Sequence, residues 1–520
     1  MFTSHKGSEM VNSYQKKKLK NRFKMTGYVK AVVAAILSLV IAFLPSAVFG
    51  LDADSNPLIN PVQQRVIAIF LFAAVMWLTE AIPSWCTSVV IIVVMLFTIT
   101  GNGLEPLVER LPVLGDDGQQ LLKNGEPVTT LAYKYASYKS IMACFANPTI
   151  MLFIGGFILA IALTKTGLDV VLAKKLLAPF GSKPSIVLLG FIMVTALFSA
   201  FVSNTATAAM MLAFLAPVLR QMPDGSNDRV ALALAIPLGA NIGGIATPIG
   251  TPPNTIVLGY LQDNLGITIG FGEWMLKLVP YVVILLVLGW ILLRVMFPFQ
   301  QKKIELKIEG ELHWTHKTWI VIITFIVTVL LWCLSDAIGL GLNSFIIAMV
   351  PVAAFAATGV IDKHDLSEIN WAVLWMVAGG FALGVALAET GLDKALIGMV
   401  DFTTFPLVMV IILASLICFG FSNFVSHSAA ASLLVPVLGV VAGAMQASGA
   451  ITNGEVVQML LCVALAASVS MILPISTPPN AIAHSTGFIK QSQMMIVGII
   501  VGALGLVIGF FWLRLPFIFG

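Results

Sequence analysis

The sequence is poor in charge. Only 10% of its 520 residues are Asp, Glu, Lys or Arg, and 58% are hydrophobic. Soluble domains carry about a quarter charged residues, so these few cannot cover a water-facing surface, and most of the exterior must face lipid. Cysteine is scarce too. Cys86, Cys144, Cys333, Cys418 and Cys462 are scattered and odd in number, which argues against a disulfide framework. The six histidines are dispersed and no His-Glu-x-x-His is present. His427 and Ser428 are neighbours, but no orienting acid accompanies them, so an intramembrane enzyme is only a remote alternative. A Gly-rich phosphate loop is also missing, which gives no sign of ATP use. The net charge of +4 is local to the first thirty residues, not a nucleic-acid footprint.

Long apolar runs are abundant. Several are long enough for a hydrocarbon core of about 30 Å, which takes about 20 helical residues. They are continuously apolar, without the alternation of barrel strands, so the expected fold is an all-α polytopic membrane protein. Eleven spans are expected, near 31–50, 65–81, 84–100, 149–165, 229–261, 275–298, 317–335, 340–358, 373–388, 455–489 and 493–518. Two further stretches, 185–220 and 405–443, are interrupted midway by Ser203-Asn204-Thr205 and Ser422-Asn423, and read as re-entrant helical hairpins. Lys and Arg concentrate in residues 1–30 and in alternate loops, which sets the N-terminus in the cytoplasm and the C-terminus outside. Residues 1–30 read as a retained basic tail and 31–64 as the first span and its outer loop. The segment 101–140 has no assigned role, and Glu80, at a membrane edge, is open to a structural or a functional one.

The chain repeats itself. Gly155–Asp169 matches Gly379–Asp393 at ten of fifteen positions, and Pro248–Asn254 matches Pro474–Asn480 at six of seven. With the two Ser-Asn pairs between them, these landmarks divide the chain into repeat 1 (65–300), a linker (301–316) and repeat 2 (317–520). The second copy begins five spans after the first, an odd number, so the copies are expected upside down relative to each other, as in secondary transporters. Charged rings of the kind that line channels are not evident. The Gly155-Gly156 and Gly379-Gly380 pairs read as close helix packing. Asp169 and Asp393 read as caps or solvated residues near span ends.

Pro252-Pro253 and Pro478-Pro479 cannot sit inside a regular helix, because proline lacks an N–H and clashes with the preceding turn. Each break creates a half-helix N-terminus near mid-membrane, whose partial positive charge and free N–H groups attract anions. The returning arm of each hairpin is capped by the same logic. Ser, Thr and Asn side chains suit an oxygen-rich anion, and their oxygens can also hold a small cation.

With these motifs in place, the chain resembles the divalent anion–sodium symporter family from about residue 65 onward, most specifically at Pro474–His484. The resemblance implies a carrier of C4/C5 dicarboxylates such as succinate, malate, fumarate or 2-oxoglutarate, with citrate or sulfate also possible cargo. It implies a plasma-membrane homodimer that moves its site by an elevator motion. By match, substrate would be held by Ser203, Asn204, Thr205, Thr251 and Pro252, and by Ser422, Asn423, Thr477 and Pro478. A sodium ion is expected, if anywhere, at Ser203, Asn204 and Gly243, and no other cofactor is expected.

One departure stands out. The family's second tip usually reads Ser-Asn-Thr, whereas here Phe424 follows Ser422-Asn423, and His427 falls where the first repeat has Ala208. A protonated His427 would supply the charge that sodium otherwise brings, since an unperturbed imidazole titrates near 6.5. A fixed charge makes the empty carrier costly to move, by at least about 2.5–3.5 kcal/mol, and a bound dianion offsets that cost. The expectation is therefore sodium-independent dicarboxylate exchange, with a sodium-coupled dicarboxylate or sulfate symporter as the alternative.

Overall fold

Asn, Ser and Thr open most of the helices. Asn60, Asn147, Asn343 and Asn370 each accept backbone N–H groups from the first turn of the helix they precede. Such caps satisfy donors that have no partner inside a helix. A computed structural model describes residues 25–519, apart from 52–56, 114–119, 121, 124–125, 305–313, 336–337, 339 and 400–405. Most of the basic tail and of the 301–316 linker lies outside the described residues.

After α1 (Met25–Phe43), the chain runs through α2 (Pro61–Thr79), α3 (Ser84–Thr98), α4 (Pro148–Lys165), α5 (Leu168–Leu177), α6 (Pro184–Phe201), α7 (Asn204–Arg220), α8 (Asn227–Gly243), α9 (Pro252–Leu265) and α10 (Phe271–Met296). It then passes through α11 (His316–Leu334), α12 (Ser344–Ala357), α13 (Trp371–Thr390), α14 (Leu392–Met399), α15 (Leu407–Phe424), α16 (His427–Ala447), α17 (Asn453–Ser468), α18 (Pro478–Ser485) and α19 (Gln491–Leu513). The order of these helices from α2 to α10 recurs from α11 to α19, with the strands of 101–140 and the short helix Tyr138–Ala143 as additions to the first run.

Ten of the described helices are long and apolar enough to cross a bilayer. Three of them, α6, α15 and α16, are hairpin arms. The other seven, with the shorter apolar helices α1, α3, α12 and α17, fall on the eleven spans expected from the sequence. The turns at Val202-Ser203 and Val425-Ser426 fold α6 onto α7 and α15 onto α16.

Segment 101–140 departs from an all-helical reading. Arg110–Pro112 pairs antiparallel with Thr129–Leu131, and Leu122–Lys123 with Glu126–Pro127. Arg65 ties this ornament down by donating to the carbonyls of Thr98 and Leu107, each at 2.8 Å. Glu80 closes α2 in the left-handed region at φ 45°.

Helices α4 and α13 run antiparallel. Lys165, ending α4, bonds Asp365 at 2.5 Å and Asp362 at 3.1 Å, just ahead of α13. At the opposite end, Glu389 near the close of α13 accepts the Ser137 N–H at 2.6 Å, ahead of α4. The first glycine of each pair packs against a neighbouring helix, Gly155 on Ala348 of α12 and Gly379 on Ser88 of α3. Asp169 and Asp393 bond backbone N–H groups within their own first turns, at Val170 and Lys394.

Candidate functional site

Both proline pairs start helices. Thr251 is the N-cap of α9, with Pro252 and Pro253 in its first turn, and Thr477 holds the same place ahead of α18. Proline is tolerated at these positions because their N–H groups would be unpaired in any case. The unwound backbone before each pair is braced by the asparagine that follows it. Asn254 Nδ2 donates to the carbonyls of Gly244 (3.1 Å) and Thr247 (2.8 Å), and Asn480 Nδ2 to those of Met471 (2.8 Å) and Leu473 (3.1 Å). The asparagine in each motif thus holds the break open.

The hairpin tips supply two more helix starts. Ser203 caps α7 by accepting from Ala206 N at 3.2 Å, and Ser426 caps α16 by accepting from Ala429 N at 3.3 Å. All four cap residues, Ser203, Thr251, Ser426 and Thr477, line one cavity of about 190 Å³ between the tips and the breaks. That is far above the roughly 10–15 Å³ needed for one water. Asn204, Thr205, Pro252, His427, Ser428, Ser476 and Pro478 share the lining, and Asn370, Val373 and Met376 close it from α13. Among the described residues the lining contains no Lys, Arg, Asp or Glu, and His427 is its sole basic side chain. Four partial positive ends and one imidazole among hydroxyls and amides have the chemistry that suits a compact anion.

The second tip corrects the sequence reading. Ser422 and Asn423 do not line this cavity; they lie one turn back in the last turn of α15. Asn423 donates to Phe419 O at 2.7 Å and accepts from Ile472 N at 2.8 Å, which holds α15 to the unwound segment. The turn geometry aligns Phe201-Val202-Ser203-Asn204-Thr205-Ala206 with Phe424-Val425-Ser426-His427-Ser428-Ala429. Phe424 therefore matches Phe201 and replaces no hydroxyl, since Ser428 stands where Thr205 does. His427 matches Asn204, not Ala208. The repeated Phe-Val-Ser, and not the Ser-Asn dipeptide at 422–423, marks the second tip.

Asn204 and His427 make matching contacts. The Asn204 amide lies against Gly244, so that a Cβ there would stand 2.8 Å from Asn204 Oδ1. His427 Nε2 lies 2.6 Å from the carbonyl of Ser470, the residue corresponding to Gly244. A carbonyl can only accept, so Nε2 carries a proton and donates. Ser199, which the sequence reading passed over, places its hydroxyl 2.6 Å from Asn204 Oδ1 and 2.7 Å from Ala240 O. Gly243 ends α8 packed against Ala196 of α6.

The sequence model of CitMHS, described as a citrate transporter family, matches residues 74–453. An uncharacterized transporter of Haemophilus influenzae is 32% identical over 506 residues, covering 92% of this chain and 96% of the relative. The sodium-dependent dicarboxylate transporter SdcS of Staphylococcus saprophyticus is 30% identical over 481 residues, covering 85% of this chain and 84% of the relative. The crystal structure of the YdaH transporter of Alcanivorax borkumensis superposes with a TM-score of 0.51 at 12% identity, over 86% of this chain and 97% of that one, a likeness of fold alone. The chain belongs to this family of multi-pass membrane transporters, and it is not an enzyme.

Proposed function

We propose that this transporter carries C4/C5 dicarboxylates across the plasma membrane by sodium-independent exchange. One observation carries the reading: four helix N-termini and His427 surround a cavity whose lining, among the described residues, has no Lys, Arg, Asp or Glu. Helix ends and hydroxyls bind a carboxylate without an arginine. Hydrogen bonds to charged groups are worth roughly 1.5–3 kcal/mol each. A few of them suit a carrier, which must also release its cargo. A second proton on His427 would make the empty site cationic; a bound dianion would leave one net negative charge, which the partial positive ends of four helices offset in part, so that the carrier crosses mainly when loaded.

The substrate class draws support from the relative named as a dicarboxylate transporter. The opposite directions of the equivalent helices α4 and α13 support inverted repeats. In this reading the tips and breaks move past α4 and α13 as an elevator, within a homodimer whose N-termini are cytoplasmic and C-termini outside. A second reading, sodium-coupled symport of a dicarboxylate or sulfate, is favoured by the first tip. There Ser203, Asn204 and the Gly243-Gly244 backbone keep an oxygen-rich corner without a histidine.

Labelled succinate uptake into proteoliposomes tests the choice. Exchange is expected to give strong uptake into vesicles preloaded with succinate, little into empty ones, and no dependence on a sodium gradient. Strong uptake into empty vesicles that collapses without sodium would establish the symporter instead.

A further inference from the structure

A second cavity, of about 260 Å³, lies beside the first and shares no lining residue with it. Its lining includes Leu152, Pro248, Gln262, Thr268, Glu273 and Asn343. It sits at the end of the bundle where α10 and α12 begin. Asn370, in the first cavity, belongs to the other end, which the Lys165–Asp365 pair and the Lys317 bond to Gly359 O mark. The partition between the cavities is thin. Leu152 lines one and Phe153 the other; Pro248 lines one and Ile249 the other.

We infer that the larger cavity is the opposite mouth of the same anion path, and that Ile249 seated on Gly156 is the plug between them. A Cβ at Gly156 would stand 3.3 Å from Ile249 Cδ1, so the absence of a side chain there makes the seat. The second repeat shows the unseated form. Ile475, which matches Ile249, is 55% exposed, and the space over Gly380, which matches Gly156, is taken by Ser432 of α16, 2.8 Å from a Cβ built there. Thus α13 packs along the second hairpin, while α4 has its place filled by the plug of its own repeat. The exchanged arrangement, with Ile475 on Gly380 and α7 along α4, would close the first cavity's mouth and open the second. The mouth is polar but weakly so. Glu273 is neutralised by Lys277 at 2.6 Å, and Gln262, Thr268 and Asn343 offer amides and a hydroxyl. That suits passage of a small hydrated anion better than tight binding. The inference rests on the proposed anion path, but its test needs no substrate.

Cys86 and Cys333 are replaced by Ser, and the carrier is reconstituted in sealed vesicles of known orientation. Single thiols are introduced as Gln262→Cys and Asn370→Cys, and a membrane-impermeant maleimide is applied from each face. The two thiols are expected to react from opposite faces. Ile249→Ala is expected to raise labelling of the Asn370→Cys thiol from the Gln262 face several-fold, and the milder Ile249→Val to raise it less. Labelling of both thiols from one face, or no change in sidedness with either plug variant, would overturn the inference. Failure of succinate exchange with the sidedness intact would overturn the proposed substrate and leave the plug standing.

Discussion

Asn241 Nδ2 donates to Asn480 Oδ1 across 3.0 Å, a buried bond between α8 of the first repeat and the helix start after the break in the second. The matching pair in the other direction would be Ala467 with Asn254. Alanine has no donor, and among the described residues Asn254 Oδ1 has no partner. One half of the site is therefore fastened to its opposite and the other half is not.

Removing this fastener should loosen the second break. Asn241→Ala leaves Asn480 Oδ1 buried and unpaired, a loss of roughly 1–3 kcal/mol. Thermal unfolding of the detergent-solubilised protein is expected to show a lower midpoint. Asn241→Leu should cost as much, because it keeps the shape but loses the donor. A midpoint unchanged in both variants would show that the bond contributes nothing.

The N-cap threonines should behave unequally. Thr477 Oγ1 accepts from Asn480 N at 3.2 Å, whereas the Thr251 side chain makes no cap bond. Thr477→Ala is expected to lower stability by about 1 kcal/mol, the usual value of such a cap. Thr251→Ala should leave stability nearly unchanged and raise KM for succinate, since its hydroxyl is free to meet the substrate. Equal thermal shifts in the two variants would contradict this division.

His427 carries the proposed coupling. Since it matches Asn204, His427→Asn makes the two tips alike at this position. Exchange in sodium-free buffer is expected to weaken by roughly tenfold to a hundredfold, the equivalent of the ~1.5–3 kcal/mol of a hydrogen bond to a charged group. If the imidazole replaces sodium, added sodium should restore part of the uptake in this variant and none in the parent. Unimpaired sodium-free exchange by His427→Asn would remove His427 from the mechanism.

Some of this was legible in the sequence, for physical reasons. Two adjacent prolines in an apolar run permit one reading, a helix start, and the structure places Pro252 and Pro478 there. The spans follow from hydropathy, because every backbone group within a bilayer must be satisfied inside its own helix or against protein. The second tip is not legible from Ser422-Asn423, which lies one helical turn from the turn itself, because a turn's position depends on where the arms stop packing. The β-ladders at 110–131 are too short to show alternation. The Asn241–Asn480 bond joins residues 239 apart, a pairing that no local pattern announces.

The clasp at the end of α4 gives a pH-dependent prediction outside the membrane. Lys165 bridges Asp362 and Asp365, and the Asp365 carboxylate also accepts Asp362 N at 2.7 Å. The His364 N–H, followed by the Lys165 ammonium, holds the Asp362 carboxyl below its ordinary value of 3.8. A carboxyl depressed in the folded state stabilises above its unfolded value and loses that contribution as pH falls through the folded one. Its contribution should therefore be complete above pH 3.8 and fade below it. Asp362→Asn is expected to lower the unfolding midpoint at pH 7 and to converge with the parent in strong acid. Lys165→Met should be worse, by on the order of 1 kcal/mol for a partly exposed ion pair, because it leaves the more buried Asp365 without its cation. The counterpart of Lys165 in the second repeat is Glu389, which bonds a backbone N–H and, among the described residues, no cation. Glu389→Gln keeps an acceptor for Ser137 N and should show no such acid-dependent convergence; a matching pH profile in both variants would mean that the charge on Asp362 is not what the clasp uses.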